Sequence, residues 1–194
     1  MSMKHPLGPH NRVRITNIDN NKDVQPNSID LKIDKVFMPQ QSVFILSEER
    51  REHRGAKELS TRVFNNEPDW WCLQPGFYEI VFQNEIKLPK GEAGFVIPRS
   101  SLVRNGIYLA TGLYDSGYEG MMVSGLHVTV GPFYIKKGTR LAQFLLFEAE
   151  TLRKYDGAYG NRKQHDNEKY QIRKAEGWVD GRLPKPKKQL EDKK

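Results

Sequence analysis

The stretch Pro75-Gly76-Phe77-Tyr78-Glu79-Ile80-Val81-Phe82, followed by Pro89-Lys90-Gly91 and Ala93-Gly94-Phe95-Val96-Ile97-Pro98, decides the fold class. Short apolar runs set between proline and glycine turns have the length of strands, and they leave no room for the long crossover helices of a parallel α/β sheet. The pattern continues outward in both directions. Val13-Arg14-Ile15 and the alternating run Ile29-Asp30-Leu31-Lys32-Ile33-Asp34-Lys35-Val36-Phe37 read as strands, and Pro39 is expected to end the second. Val43-Phe44-Ile45-Leu46 reads as a strand or a buried connection, and the charged residues 47–62 as a loop or short helix. Met121-Met122-Val123 opens another strand, Leu126, Val128 and Val130 keep alternate spacing, Tyr134-Ile135 follows Gly131-Pro132, and the run from Leu141 to Phe147 supplies the last strand. A short helix is expected after Pro98, capped by Ser100 and stopped by Gly106. The expectation is an all-β fold, a distorted β-barrel or jelly-roll-like body with short helical elements.

With 194 residues, eleven prolines and sixteen glycines, the chain suits one sizeable core rather than two catalytic domains. One domain is expected over residues 1–175 and a basic flexible tail over 176–194, where Lys185, Lys187, Lys188, Lys193 and Lys194 contribute much of the +7 formal charge. That charge favours anionic partners without distinguishing a nucleotide from a nucleic acid. Nucleic-acid contact through the basic end is the weaker reading, and a solvated tail the plainer one. Cys72 is alone, so it forms no intrachain disulfide and reads as a core thiol. No apolar span fits a membrane, and the opening residues do not read as an export signal, so the expected setting is intracellular and cytoplasmic.

The chemistry concentrates in Pro98-Arg99-Ser100-Ser101-Leu102-Val103-Arg104 and in Gly112-Leu113-Tyr114-Asp115-Ser116-Gly117-Tyr118-Glu119-Gly120. A cationic, hydroxyl-rich segment and a carboxylate on a turn suit a site that grips a polyphosphate and aims a water at it. Arg99 offers a rigid donor array, with Ser100 and Ser101 beside it; its plainer role is a structural pair with Asp30 or Asp115. For Tyr118 a core aromatic is the plainer, lesser alternative to a pocket role. Gly112, Gly117 and Gly120 would permit tight turns around Asp115. The Gly-rich spacing and Lys-Ser/Thr ending of a P-loop are absent, and the five histidines with Cys72 show no zinc-ligand spacing.

Taken in order, these segments resemble the superfamily of trimeric deoxyuridine triphosphatases and dCTP deaminases. Gln25-Pro26-Asn27-Ser28-Ile29-Asp30-Leu31, Pro98 to Leu102, Gly112 to Gly120 and Gly138-Thr139-Arg140-Leu141-Ala142-Gln143 carry the resemblance, which spans most of residues 25–147. It implies Asp115 as the carboxylate that activates water for attack on an α-phosphate. It also implies Arg99, Ser100, Ser101, Arg104, Gly112 and Gln143 as nucleotide contacts, and Tyr118 against the deoxyribose. Arg140 is as plausible in a structural pair. The expected activity is conversion of dUTP to dUMP and pyrophosphate, with Mg2+ carried mainly by substrate phosphates and water, in a homotrimer with sites between subunits. The position matching the deaminase glutamate is Gly125, and glycine cannot transfer a proton. Tyr155-Asp156-Gly157-Ala158-Tyr159 and Glu168-Lys169-Tyr170-Gln171 resemble the deaminase closing segment, which implies Lys169 near phosphate and Tyr170 near the pocket; an ordinary basic arm is the alternative. The alternatives in function are a dCTP pyrophosphatase or deaminase-like enzyme and a noncatalytic deoxynucleotide-binding regulator.

Overall fold

The computed structural model describes residues 2–9, 11–19, 21–157, 159 and 160. The expected boundary at residue 175, the tail beyond it, and Lys169 and Tyr170 lie outside the described residues. In chain order the strands are β1 (Met3–Lys4), β2 (Arg14–Ile15), β3 (Ile29–Pro39), β4 (Ile45–Leu46), β5 (Arg51–Glu52), β6 (Ala56–Glu58) and β7 (Arg62–Phe64). They continue as β8 (Glu67–Leu73), β9 (Gly76–Lys87), β10 (Glu92–Pro98), β11 (Ile107–Ala110), β12 (Glu119–Val128), β13 (Phe133–Lys136) and β14 (Arg140–Glu148), with the single helix α1 (Ser100–Val103) between β10 and β11 among the described residues.

The main sheet runs β1-β14-β3-β9-β12-β11, with β10 also on β14, β2 on β9 and β6 on β3. Its path is open, yet Leu146 near one end and Ile107 at the other belong to one buried cluster, so the sheet curls over a shared core. The side-chain period of two explains which residues fill that core. On β3, Ile29, Leu31 and Ile33 have no exposed surface; a register shift between Ile33 and Lys35 then changes phase and turns Val36 inward. On β12, Gly120, Met122, Ser124, Leu126 and Val128 are buried, while Met121, Val123, Gly125 and His127 face the other side. Phe82 and Phe144 are fully buried, and removing either ring would cost about 3–5 kcal/mol.

The all-β expectation holds, with local corrections. Strand β3 ends at Pro39 as expected, and Pro39 pairs at the margin with Ala56 of β6, where a missing N–H is tolerated. Residues 47–62 contribute β5 and β6 and begin β7 instead of forming a helix. Ser100 is the first residue of α1, not its cap; Arg99 holds the cap position in extended conformation, without a side-chain capping bond. β12 ends at Val128, and Val130 is exposed. Cys72 is only half-buried, on β8 opposite Tyr134. On that small sheet, β13-β8-β7, the Lys136 ammonium lies 2.8 Å from Glu67 and holds its carboxyl below the usual range, chiefly by their hydrogen bond. No helix among the described residues is long and apolar enough to cross a membrane.

Candidate active site

Asp30 organises the cationic end of the site. It sits on β3 between Ile29 and Leu31, has no exposed surface, and lies opposite Gln143 in the β14 register. Gln143 Nε2 donates to its Oδ1 at 3.2 Å, and Gln25 Nε2 donates to its Oδ2 at 3.2 Å. The guanidinium of Arg99 lies 3.4 Å from Asp30 Oδ2 and that of Arg140 3.6 Å from the same oxygen. A buried carboxylate is costly without such donors, and here it gathers two guanidinium groups and two amides into one array. Arg99 also donates to the Arg140 carbonyl at 3.3 Å, and Arg140 to that of Lys22. Both arginines retain about a third of their side-chain surface, 32% and 37%, so the array still faces solvent.

Helix α1 carries the hydroxyls of this end. Its buried Leu102 pins four residues to the core, which leaves Ser100, Ser101 and Arg104 exposed. Arg99 is fixed through its main chain, whose N–H donates to the Leu141 carbonyl at 3.3 Å.

Asp115 stands at the other end, exposed on a turn whose neighbours are clamped. Tyr114 and Gly94 exchange two main-chain hydrogen bonds, at 2.8 and 3.0 Å. The Tyr114 hydroxyl donates to the Val123 carbonyl and accepts from the Val123 N–H, at 2.9 and 3.0 Å, where β12 shifts register. Ser116 donates to the Glu92 carbonyl at 2.7 Å, and the Tyr155 N–H donates to the Ser116 carbonyl at 2.7 Å. Tyr114, Ser116 and Tyr118 are all buried, so the chain presents Asp115 to solvent from a fixed base. It borders a cavity of about 950 Å3, shared with Leu113, Thr151, Arg153 and Lys154.

Gly117 acts as expected of a turn glycine beside Asp115, whereas Gly112 does not. Gly117 has φ +91°, which a side chain would strain, and a Cβ there would come within 3.0 Å of Lys154 Cβ. Gly112 has open space around it, so neither crowding nor a left-handed backbone requires glycine there. Tyr118 lies in the aromatic core: its ring packs edge-on to Tyr114 and Tyr155 with centroids 5.2 and 5.5 Å apart, and its hydroxyl donates to the Met121 carbonyl at 2.7 Å. At Gly125 a Cβ would meet the Phe77 ring at 2.7 Å and Ala110 Cβ at 3.2 Å, so the space a larger side chain would use is taken.

Within one chain the two ends stay apart. From Gly94, beside Tyr114, to Arg99 the extended chain takes five residue steps, about 16 Å. Arg99, Gln143, Ser100 and Ser101 therefore form one group, and Asp115 with its clamped turn another. Of the two partners that residue type offered Arg99, Asp30 and Asp115, the structure pairs it with Asp30. Gln25 is the member that residue-type reasoning passed over.

Residues 6–149 match the family model described as dCTP deaminase-like. A "Deoxyuridine 5'-triphosphate nucleotidohydrolase" of Methanocaldococcus jannaschii is 34% identical over 144 residues, covering 73% of this chain and 89% of the relative. A "Probable deoxyuridine 5'-triphosphate nucleotidohydrolase" of Halobacterium salinarum is 31% identical over 136 residues, covering 70% of this chain and 82% of the relative. Among solved structures, a 2'-deoxycytidine 5'-triphosphate deaminase from Agrobacterium tumefaciens has the same fold, with a TM-score of 0.54 and 18% identity. That match covers 71% of this chain but only 44% of the deaminase chain. Fold and family model together define a dCTP deaminase-like protein. The chain belongs to the dUTPase/dCTP deaminase family.

Proposed function

We propose that this protein hydrolyses dUTP to dUMP and pyrophosphate, and that it does so inside the cell. The observation that carries the reading is Asp115, an exposed carboxylate held by buried neighbours on both sides, in a chain whose curated relatives bear the name of that hydrolase. The carboxylate accepts a proton from a water as the water oxygen bonds to the α-phosphorus. The bond from that phosphorus to the bridging oxygen breaks, and pyrophosphate leaves with its electron pair. Arg99, Gln143, Ser100 and Ser101 hold the phosphate oxygens, with Asp30 keeping the first two aligned; Arg104 and the main chain at Gly112 complete the contacts. Lys169 and Tyr170 are assigned to closure over the nucleotide.

The donor chemistry fits a magnesium ion that arrives on the nucleotide. Asp30 is committed to arginine and amide donors, and no group of three or more His, Cys, Asp or Glu among the described residues could hold a metal. When bound, the ion neutralises phosphate charge and draws its remaining ligands from water.

The separation between Asp115 and the Arg99 group favours a homotrimer in which one subunit contributes the carboxylate and its neighbour the phosphate grip. Gly125, crowded by Phe77, favours hydrolysis over deamination, since no acid-base group stands there. The test incubates the protein with magnesium and equal concentrations of dUTP, dCTP, dTTP and UTP, and pairs product chromatography with ammonia detection. The expected result is monophosphate and pyrophosphate most efficiently from dUTP, with little ammonia from dCTP. Preferred hydrolysis of dCTP would change the base assignment. Robust ammonia release would overturn the use of Gly125, and tight binding without turnover would make the protein a nucleotide-binding regulator.

A further inference from the structure

Arg12, Lys90 and Lys154 converge on a cleft of about 630 Å3 whose walls include Gly117, Glu119 and Tyr159. None of the three makes an ion pair or a side-chain hydrogen bond among the described residues. The lining holds four cations, Arg12, Lys87, Lys90 and Lys154, against two acids, Glu119 and Asp156, and Glu119 pairs with Lys87 at 2.6 Å. The net charge of the cleft is therefore positive. Like charges held together repel one another, and a bound anion relieves that repulsion while accepting charge-assisted hydrogen bonds. Gly117 and Gly160, with φ +91° and +113°, line the same cleft and bring bare main chain to its surface. The volume lies in the ordinary range for small-molecule sites.

We propose that this cleft is a second anion site, which takes a phosphate-bearing small molecule and is distinct from the Arg99–Gln143 group. The two share no lining residue. The cleft does share Lys154, Tyr155 and Asp156 with the cavity beside Asp115, and the Tyr155 N–H holds the Ser116 carbonyl. A ligand in the cleft thus touches the segment whose Tyr155 N–H holds the turn that carries Asp115.

The experiment uses the full chain carrying Arg99→Ala, which weakens the primary phosphate grip, and titrates it calorimetrically with inorganic pyrophosphate and, separately, with dUMP. Binding is expected to persist in this protein and to weaken at least about tenfold when Lys90→Glu or Arg12→Glu is added. Binding of pyrophosphate alone identifies a free oligophosphate as the ligand, whereas dUMP binding with the same charge dependence identifies a nucleotide phosphate. Thermal melting confirms that each variant is folded. Unchanged affinity in folded Lys90→Glu and Arg12→Glu proteins, or no binding of either probe at millimolar concentration by folded Arg99→Ala, overturns the proposal. The titration needs no turnover, so its failure and failure of the proposed hydrolysis are separate results.

Discussion

Asp30 on β3 and Arg99 at the start of α1 lie 3.4 Å apart, and the carboxylate of this pair has no exposed surface while the guanidinium keeps a third of its own. A buried acid thus aims a partly exposed cation. The pairing suits Arg99 both to a structural role and to the proposed phosphate contact, because one guanidinium has donors enough for the acid and for a phosphate.

Replacing Asp30 should accordingly disturb two measurements. Asp30→Asn keeps an acceptor for Gln143 but removes the charge that holds Arg99 and Arg140. The expected outcome is a rise of about tenfold in KM for dUTP, with a smaller change in kcat, because the array is loosened and the water-activating group untouched. In urea denaturation the variant should lose about 1–3 kcal/mol, less than a fully buried pair would, since both arginines reach solvent. Equal KM in a folded variant would remove Asp30 from ligand positioning.

Asp115→Asn should lower kcat by about 100-fold or more while nucleotide affinity stays within a few-fold, because the amide fills the same space but accepts no proton. Isothermal titration with a nonhydrolysable dUTP analogue, run beside the kinetic assay, separates the two quantities. A variant with normal turnover would mean that another group activates the water.

A shared site has a characteristic signature in mixtures. Asp115→Asn and Arg99→Ala chains should each turn over poorly alone. Co-expressed in equal amounts, they should regain about a quarter of the wild-type sites, since random assembly then brings an intact Asp115 and an intact Arg99 together across one interface in four. Light scattering on the same sample checks for three subunits. Absence of recovery in verified mixed assemblies would argue that each chain builds its site alone.

Gly125 and Phe77 should prove coupled in stability. Gly125→Ala forces the Phe77 ring aside and should cost about 1 kcal/mol in chemical denaturation, and the cost should shrink when Phe77→Ala is also present. The half-exposed ring can swing outward, which keeps the penalty modest. Strict additivity of the two substitutions would show that the close approach carries no energy.

Much of this molecule was already written in local sequence. Alternation over Ile29–Phe37 and the proline and glycine punctuation around residues 75–98 are nearest-neighbour properties, so they gave strands and an all-β class without any tertiary information. The ordered motifs likewise singled out Arg99, Ser100, Asp115 and Gln143, since residue type and spacing survive in a linear string. Tertiary structure decided what those residues touch. Tyr118 is reached from both sides by aromatic rings distant or near in sequence, and only packing could assign it to the core. Asp30 and Gln143 are 113 residues apart and meet because β3 and β14 pair in one register. Burial, cross-strand register and the convergence of unpaired charge on a cleft are properties of three-dimensional neighbours, and the hydrophobic collapse that creates those neighbours leaves no local mark on the residues it brings together.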